Sequence, residues 1–161
     1  MARQAGYPEN VGWSRGPVTD VTMNVTGSDM NWLDSDPASQ AKNGPAAEGQ
    51  AEYTARNAAS LRWLEESFAC AEAYHSKGVM IAIQADMWDP TAVQTHFGDT
   101  KAELVRQVTA FCGPVVLVNG DSHSLEVDKP LTDYATTNAA GAAGPNVIEN
   151  FTRVTTSGEY R

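Results

Sequence analysis

The sequence predicts an α/β fold in which helices flank a central parallel or mixed β-sheet. Two short apolar runs, VMIAI (79–83) and VVLV (115–118), read as strands buried on both faces. Each follows a segment of helical periodicity, 51–75 and 100–113. The order strand–helix–strand–helix–strand then calls for crossovers that join parallel neighbours.

In chain order, residues 1–16 are rich in Gly, Pro and polar side chains and read as an irregular lead-in. In PVTDVTMNVTG (17–27), Val18, Val21, Met23 and Val25 are interleaved with Thr, Asp and Asn, which predicts a strand. Residues 28–50 carry Pro, Gly, Asp, Ser and Asn in a density that predicts a long loop. From Ala51 the period becomes helical: Ala58, Leu61, Leu64, Phe68 and Ala71 form one stripe, with Arg62, Glu65, Glu66 and Glu72 mostly opposite. Lys77-Gly78 is the expected left-handed stop. A strand follows within 79–88, then a loop, then a helix over 100–113 opened by the capping pair Thr100 and Glu103 and closed by Gly113. After strand 115–118, SLEVDKPL alternates briefly, 132–149 is a Thr/Asn/Ala/Gly-rich loop, and 150–161 begins as a strand.

A chain of 161 residues is long enough for one domain with a real core and short for two. Its net charge of −9, from 11 basic and 20 acidic residues, argues against nucleic-acid or anionic-membrane binding, which need a basic face. No run approaches the ~20 apolar residues of a membrane span, and MARQAGYPENVGW lacks the apolar core of a secretory signal. These features place the chain in the cytoplasm, with Cys70 and Cys112 as free thiols. The sequons at Asn24 and Asn150 carry little weight without secretion.

Ligands of open α/β sheets bind at the carboxyl ends of strands. Three such ends are polar here: Ser28, Asp29, Asn31 and Trp32; Gln84, Asp86, Trp88 and Asp89; Asn119, Asp121 and His123. Oxygen and imidazole donors converging from neighbouring ends suit Zn²⁺, Mn²⁺, Fe or Mg²⁺. Each cluster also has a plain reading, since Asp and Asn after a strand shape turns. Gly120-Asp121-Ser122-His123, directly after a buried run, is the most specific of the three. His75, at a helix end, reads as structural, and His96, in a polar loop, as solvated.

The segments YPENVGW (7–13), VTGSDMNW (25–32), ARNAASLRWLEESFACA (55–71), GVMIAIQADMWDP (78–90), VVLVNGDSHSLEVDKPL (115–131) and NFTRVTTSG (150–158) together resemble the C-terminal half of bacterial calcineurin-like metallophosphoesterases. The resemblance implies half of an αββα sandwich and hydrolysis of a small-molecule phosphoester at a pair of divalent metal ions. It implies that His123 stands at a ligand position and that Asp121 replaces a histidine of the family with an oxygen donor. Gln84 and Asp86 fall near another ligating segment, without its histidine. On this reading Asp121, His123 and Asp86 are catalytic, Asp121, His123, Asp86 and Asp89 hold metal, and Asn119, Asn31 and Trp88 contact substrate. The family's early motifs, Asp-x-His, Gly-Asp-x-x-Asp and Gly-Asn-His-Asp/Glu, do not occur ahead of the GDSH segment in this sequence.

Two functions therefore stand side by side. One is a metal-dependent phosphoester hydrolase with Asp86, Asp121 and His123 in a shared pocket. The other is a non-catalytic folded remnant that has lost the dinuclear site. Either way, helices can cover only one face of the expected sheet, so a homodimer or higher homo-oligomer is expected.

Overall fold

A computed structural model of the chain describes residues 1–32, 45–92, 95–134 and 145–158. It is an α/β fold built on a seven-stranded mixed sheet. The strands are β1 (Ala2–Gln4), β2 (Tyr7–Arg15), β3 (Val18–Thr22), β4 (Gly78–Ala82), β5 (Val115–Asn119), β6 (Glu126–Asp128) and β9 (Phe151–Thr155), in the order β1-β2-β3-β4-β5-β9-β6. β3, β4, β5 and β9 are parallel; β2 and β6 run against them on the two sides, and β1, antiparallel to β2, runs in the direction of the core at the edge. A small separate pair, β7 (Thr132–Asp133) with β8 (Asn146–Val147), lies in the stretch expected to be loop. Of the two expected long loops, residues 33–44 and 135–144 lie outside the described residues. None of the helices described is long and apolar enough to cross a membrane.

Helix α1 (Ala46–Ala73) joins β3 to β4, and helix α2 (Gly98–Phe111) joins β4 to β5. The parallel strands succeed one another without reversal, so right-handed crossovers place both helices on one face. Leu64 of α1 and Thr100 and Leu104 of α2 accordingly close around Ile81 and Leu117. Phe68, Leu64, Val108, Val115 and Phe151 are almost wholly buried in that layer, and each contributes about 1.5–3 kcal/mol. Burial alternates along β4 and β5: Val79, Ile81, Val115 and Leu117 are buried, while Met80, Val116 and Val118 are half-buried. The apolar runs are thus covered from the helix side only among the described residues, not on both faces as expected.

The largest departure is at the N-terminus, where 1–16 is a hairpin rather than an irregular lead-in. Asn10 is wholly buried, yet its side chain donates to Gln4 and accepts from the Asn24 N–H, and Gln4 in turn donates to the Ala59 carbonyl of α1. Polar residues here occupy inward positions because they hydrogen-bond, which hides the strand's alternation. A Cβ at Gly12 would sit 3.3 Å from the Trp63 ring, tighter than ordinary contact, so a bare backbone lets α1 lie close. The helix ends differ too. α1 starts at Ala46, five residues early, and stops at Ala73, with His75 rather than Gly78 in the left-handed conformation. Gly78 opens β4 instead. α2 starts at Gly98 with Phe97 as its cap residue, so Thr100 is a buried residue of the first turn and not the cap. Cys112, not Gly113, takes the left-handed position at its end.

Candidate active site

Asp121 and Gln84 meet where β4 and β5 end. The Gln84 side chain donates from Nε2 to Asp121 Oδ1 at 3.1 Å and accepts the Gly27 N–H on Oε1. Any side chain at Gly27 would run into the Asp121 carboxylate, so glycine there makes the approach possible. The Gly120 N–H donates to the Gln84 carbonyl at 3.2 Å and ties the two loops together. Asp121 and His123 both have positive φ, 76° and 59°, a conformation that costs a non-glycine residue free energy. His123 lies against Gly158, whose N–H donates to the His123 carbonyl at 3.2 Å. Both Asp121 and His123 are exposed.

Asp86 goes elsewhere. It is buried, and its Oδ1 accepts from Arg153 Nη1 at 2.7 Å and from the Trp88 N–H at 3.0 Å. Arg153 is itself 3% exposed and also bonds Asp128 and Glu126 of β6. Burial alone would lower its pKa, but Asp128, Asp86 and Glu126 together raise it above the usual guanidinium value. Trp88 serves as packing in this cluster, with Lys101 and Arg153 over its ring at 5.3 and 5.7 Å. Burial pulls the Lys101 ammonium below its ordinary pKa, against the opposing pull of Asp86. A cleft of about 760 Å³ opens beside it, lined by Trp88, Lys101, Val105, Leu131 and Tyr134.

The remaining expected residues do not gather around Asp121. Asp89 Oδ1 accepts from the backbone N–H and hydroxyl of Thr91 at 2.8 and 2.7 Å, a local turn that lowers its pKa. Asn119 is buried, takes a bond from the Thr155 hydroxyl at 3.1 Å and donates to the Gly120 carbonyl, so it fastens β5 to β9. Asn31 is exposed at the end of a single turn, Gly27–Asn31. Among the described residues, no three His, Cys, Asp or Glu side chains come together in a way that could hold a metal ion. A catalytic divalent ion takes at least three protein ligands, so these residues alone do not fit the metal centre that the resemblance implies.

The polar end at Ser28–Trp32 was readable in sequence, but its partners His96, Arg56 and Tyr53 were not. Ser28, Asp29, Met30 and Asn31 all have φ between 52° and 65°, four successive left-handed residues without a glycine. Four contacts hold them. Asp29 accepts from the His96 N–H and pairs with His96 Nδ1, both at 2.7 Å. Trp32 stacks on the His96 ring at 4.2 Å, and buried Arg56 donates to the Met30 carbonyl at 2.7 Å. His96 is therefore not simply solvated: it ties the β3 loop to the β4 loop. Tyr53 closes the cluster edge-on to both rings, its hydroxyl pushed up by burial and by Asp99 and Asp29. Compared with known proteins, the chain matches no family model and no curated protein.

Proposed function

We propose that the chain is a working half of a metal-dependent phosphoester hydrolase, in which Asp121 and His123 are two of the ligands and further donors come from outside its described residues. The observation that carries the reading is the Gln84–Asp121 pair at the joint end of β4 and β5. There a carboxylate is held by one amide, faces outward, and shares a strained turn with an imidazole two residues later. Backbone strain of this kind concentrates at functional sites. The resemblance of GDSH to a ligating motif supports the same assignment. A bound divalent ion would supply an activated water. This chain's part is to fix the carboxylate through Gln84 and the backbone of His123 through the Gly158 N–H.

A second reading is favoured by a different observation. Asp86, expected as a third donor, is committed to Arg153, and among the described residues no three His, Cys, Asp or Glu side chains gather to hold a metal ion. Hydrolysis of a nitrophenyl phosphate ester, measured with added Mn²⁺ or Zn²⁺ and with chelator, separates the two. The hydrolase reading expects metal-dependent turnover that chelator abolishes and that His123→Ala lowers by about a hundredfold or more. No turnover with any metal, or turnover that ignores both chelator and His123→Ala, would leave the non-catalytic unit standing.

A further inference from the structure

We propose that His96 is a positioning residue for the Asp121 site: by latching Asp29 it keeps the turn Gly27–Asn31 wound left-handed, and that winding holds Gly27 against Gln84 and the Asp121 carboxylate. The turn meets the site at its first residue. The Gly27 N–H donates to Gln84 Oε1, Gln84 Nε2 donates to Asp121 Oδ1, and the Asp121 carboxylate lies where a side chain at Gly27 would stand. Upstream the chain is anchored, since the Val25 carbonyl accepts the Gln84 and Ala85 N–H groups at 3.2 and 3.1 Å. Downstream, Ser28, Asp29, Met30 and Asn31 have φ of 54°, 52°, 65° and 54°. In that region an L-residue brings its Cβ against the following carbonyl, so all four favour unwinding and their costs add. The Trp32 N–H reaches the Asp29 carbonyl at 3.2 Å, the long end of the range for such a bond. Side chains must supply the rest of the restraint.

His96 supplies most of it. Asp29 meets His96 twice, Oδ1 accepting the backbone N–H and Oδ2 pairing with Nδ1, both at 2.7 Å. The two side chains are 22% and 13% exposed, so water competes weakly for the pair. Trp32 stacks on the imidazole with the rings 15° apart, and the Tyr53 hydroxyl donates to the His96 carbonyl at 3.2 Å. Arg56 adds a bond from α1 to the Met30 carbonyl. The latch thus grips the turn from Asp29 onward, while the Asp121 site grips it at Gly27. Strain persists only where the surroundings over-determine it, and such segments place groups at functional sites. Met30 on the same turn is buried, so plain packing is the competing role. The two roles differ in what a substitution at His96 must preserve: a donor toward Asp29 for the latch, ring volume for packing.

This inference rests on the hydrolase reading only in giving Asp121 a task, and the test keeps the two apart. Amide hydrogen exchange of the full chain, followed by NMR, reports the Gly27 N–H directly. His96→Phe keeps a ring on Trp32 and removes the Nδ1 partner of Asp29. It is expected to speed Gly27 exchange by about tenfold or more, with the Ile81 and Leu117 amides as in the wild type. His96→Asn, whose amide nitrogen can stand where Nδ1 stood, is expected to return most of the protection although it lacks the ring. Asp29→Asn tolerates the left-handed conformation as well as Asp does, and serves where His96→Phe fails to fold, with about threefold faster exchange expected. Gly27 exchange that neither His96→Phe nor Asp29→Asn alters overturns the latch. So does a rise that Ile81 and Leu117 share, or that His96→Asn leaves in place, since lost packing alone would produce it. Turnover of the nitrophenyl phosphate ester with Mn²⁺ is measured separately. Its absence in the wild type ends the hydrolase reading, and the latch still stands or falls on exchange.

Discussion

Arg153 shows what a single residue can disclose in this chain. It shares strand parity with Phe151 and Thr155, so an arginine there has to point into the protein and find carboxylates. That inference was available from the alternation of FTRVT, although which carboxylates answer it was not. Asp86 was expected at the metal site, and it is instead the buried partner of Arg153. Replacing Arg153 with Met is expected to destabilise the fold by about 3–5 kcal/mol, because Asp86 would remain buried with an uncompensated charge. Urea unfolding checks this, with the loss appearing in the midpoint and the slope unchanged. A loss under about 1 kcal/mol would mean that Asp86 relaxes to water. His96 is the contrary case. Its bonds to Asp29 span loops 67 positions apart, and nothing local to THF distinguishes a bonded imidazole from a solvated one.

At the scale of elements, the parallel core was readable and its edges were not. β4, β5 and the helices before them announce themselves because burial imposes a period on apolar residues. The β1–β2 hairpin does not, because its inward positions include Asn10, Gly12 and Gln4, which satisfy themselves by hydrogen bonds or by having no side chain. The start of α2 was misplaced for a related reason. Glu103 stands three residues after Thr100 as a capping pair requires, but it turns forward to Arg106 and Gln107 at 2.7 Å each. Partial burial would raise the Glu103 pKa, yet the bonds from Arg106 and Gln107 win and hold it below the ordinary glutamate value. A carboxylate with a depressed folded pKa stabilises above its unfolded value, about 4.3, and loses that contribution as pH falls through the folded one. Glu103→Gln is therefore expected to cost about 0.5 kcal/mol near neutrality, the scale of exposed helical pairs, and nothing once the acid form prevails in the wild type. Chemical denaturation of both proteins at neutral and acid pH gives the difference, and a gap that persisted or widened in acid would assign the contribution to packing.

For the whole molecule, the net charge of −9 and the neutral sheet face act in opposite senses on association. A chain of this length has a radius of gyration of about 15 Å, which puts the centres of two packed copies roughly 30 Å apart. Two such charges in water repel by about 4 kcal/mol when the Debye length is ~30 Å, and by a few tenths when it is ~8 Å. Counterions already associated with each copy reduce the first figure, so the part that salt removes is closer to one or two kcal/mol. Apolar burial hardly responds to salt in this range. If copies associate through the sheet face, as the one-sided cover of the sheet leads one to expect, raising ionic strength from about 0.01 M to 0.15 M should tighten that association by about tenfold, where an interface held by exposed ion pairs would loosen. Sedimentation equilibrium at the two salt concentrations measures the shift, and weaker association at the higher salt would place the contact on a charged surface instead of the sheet face.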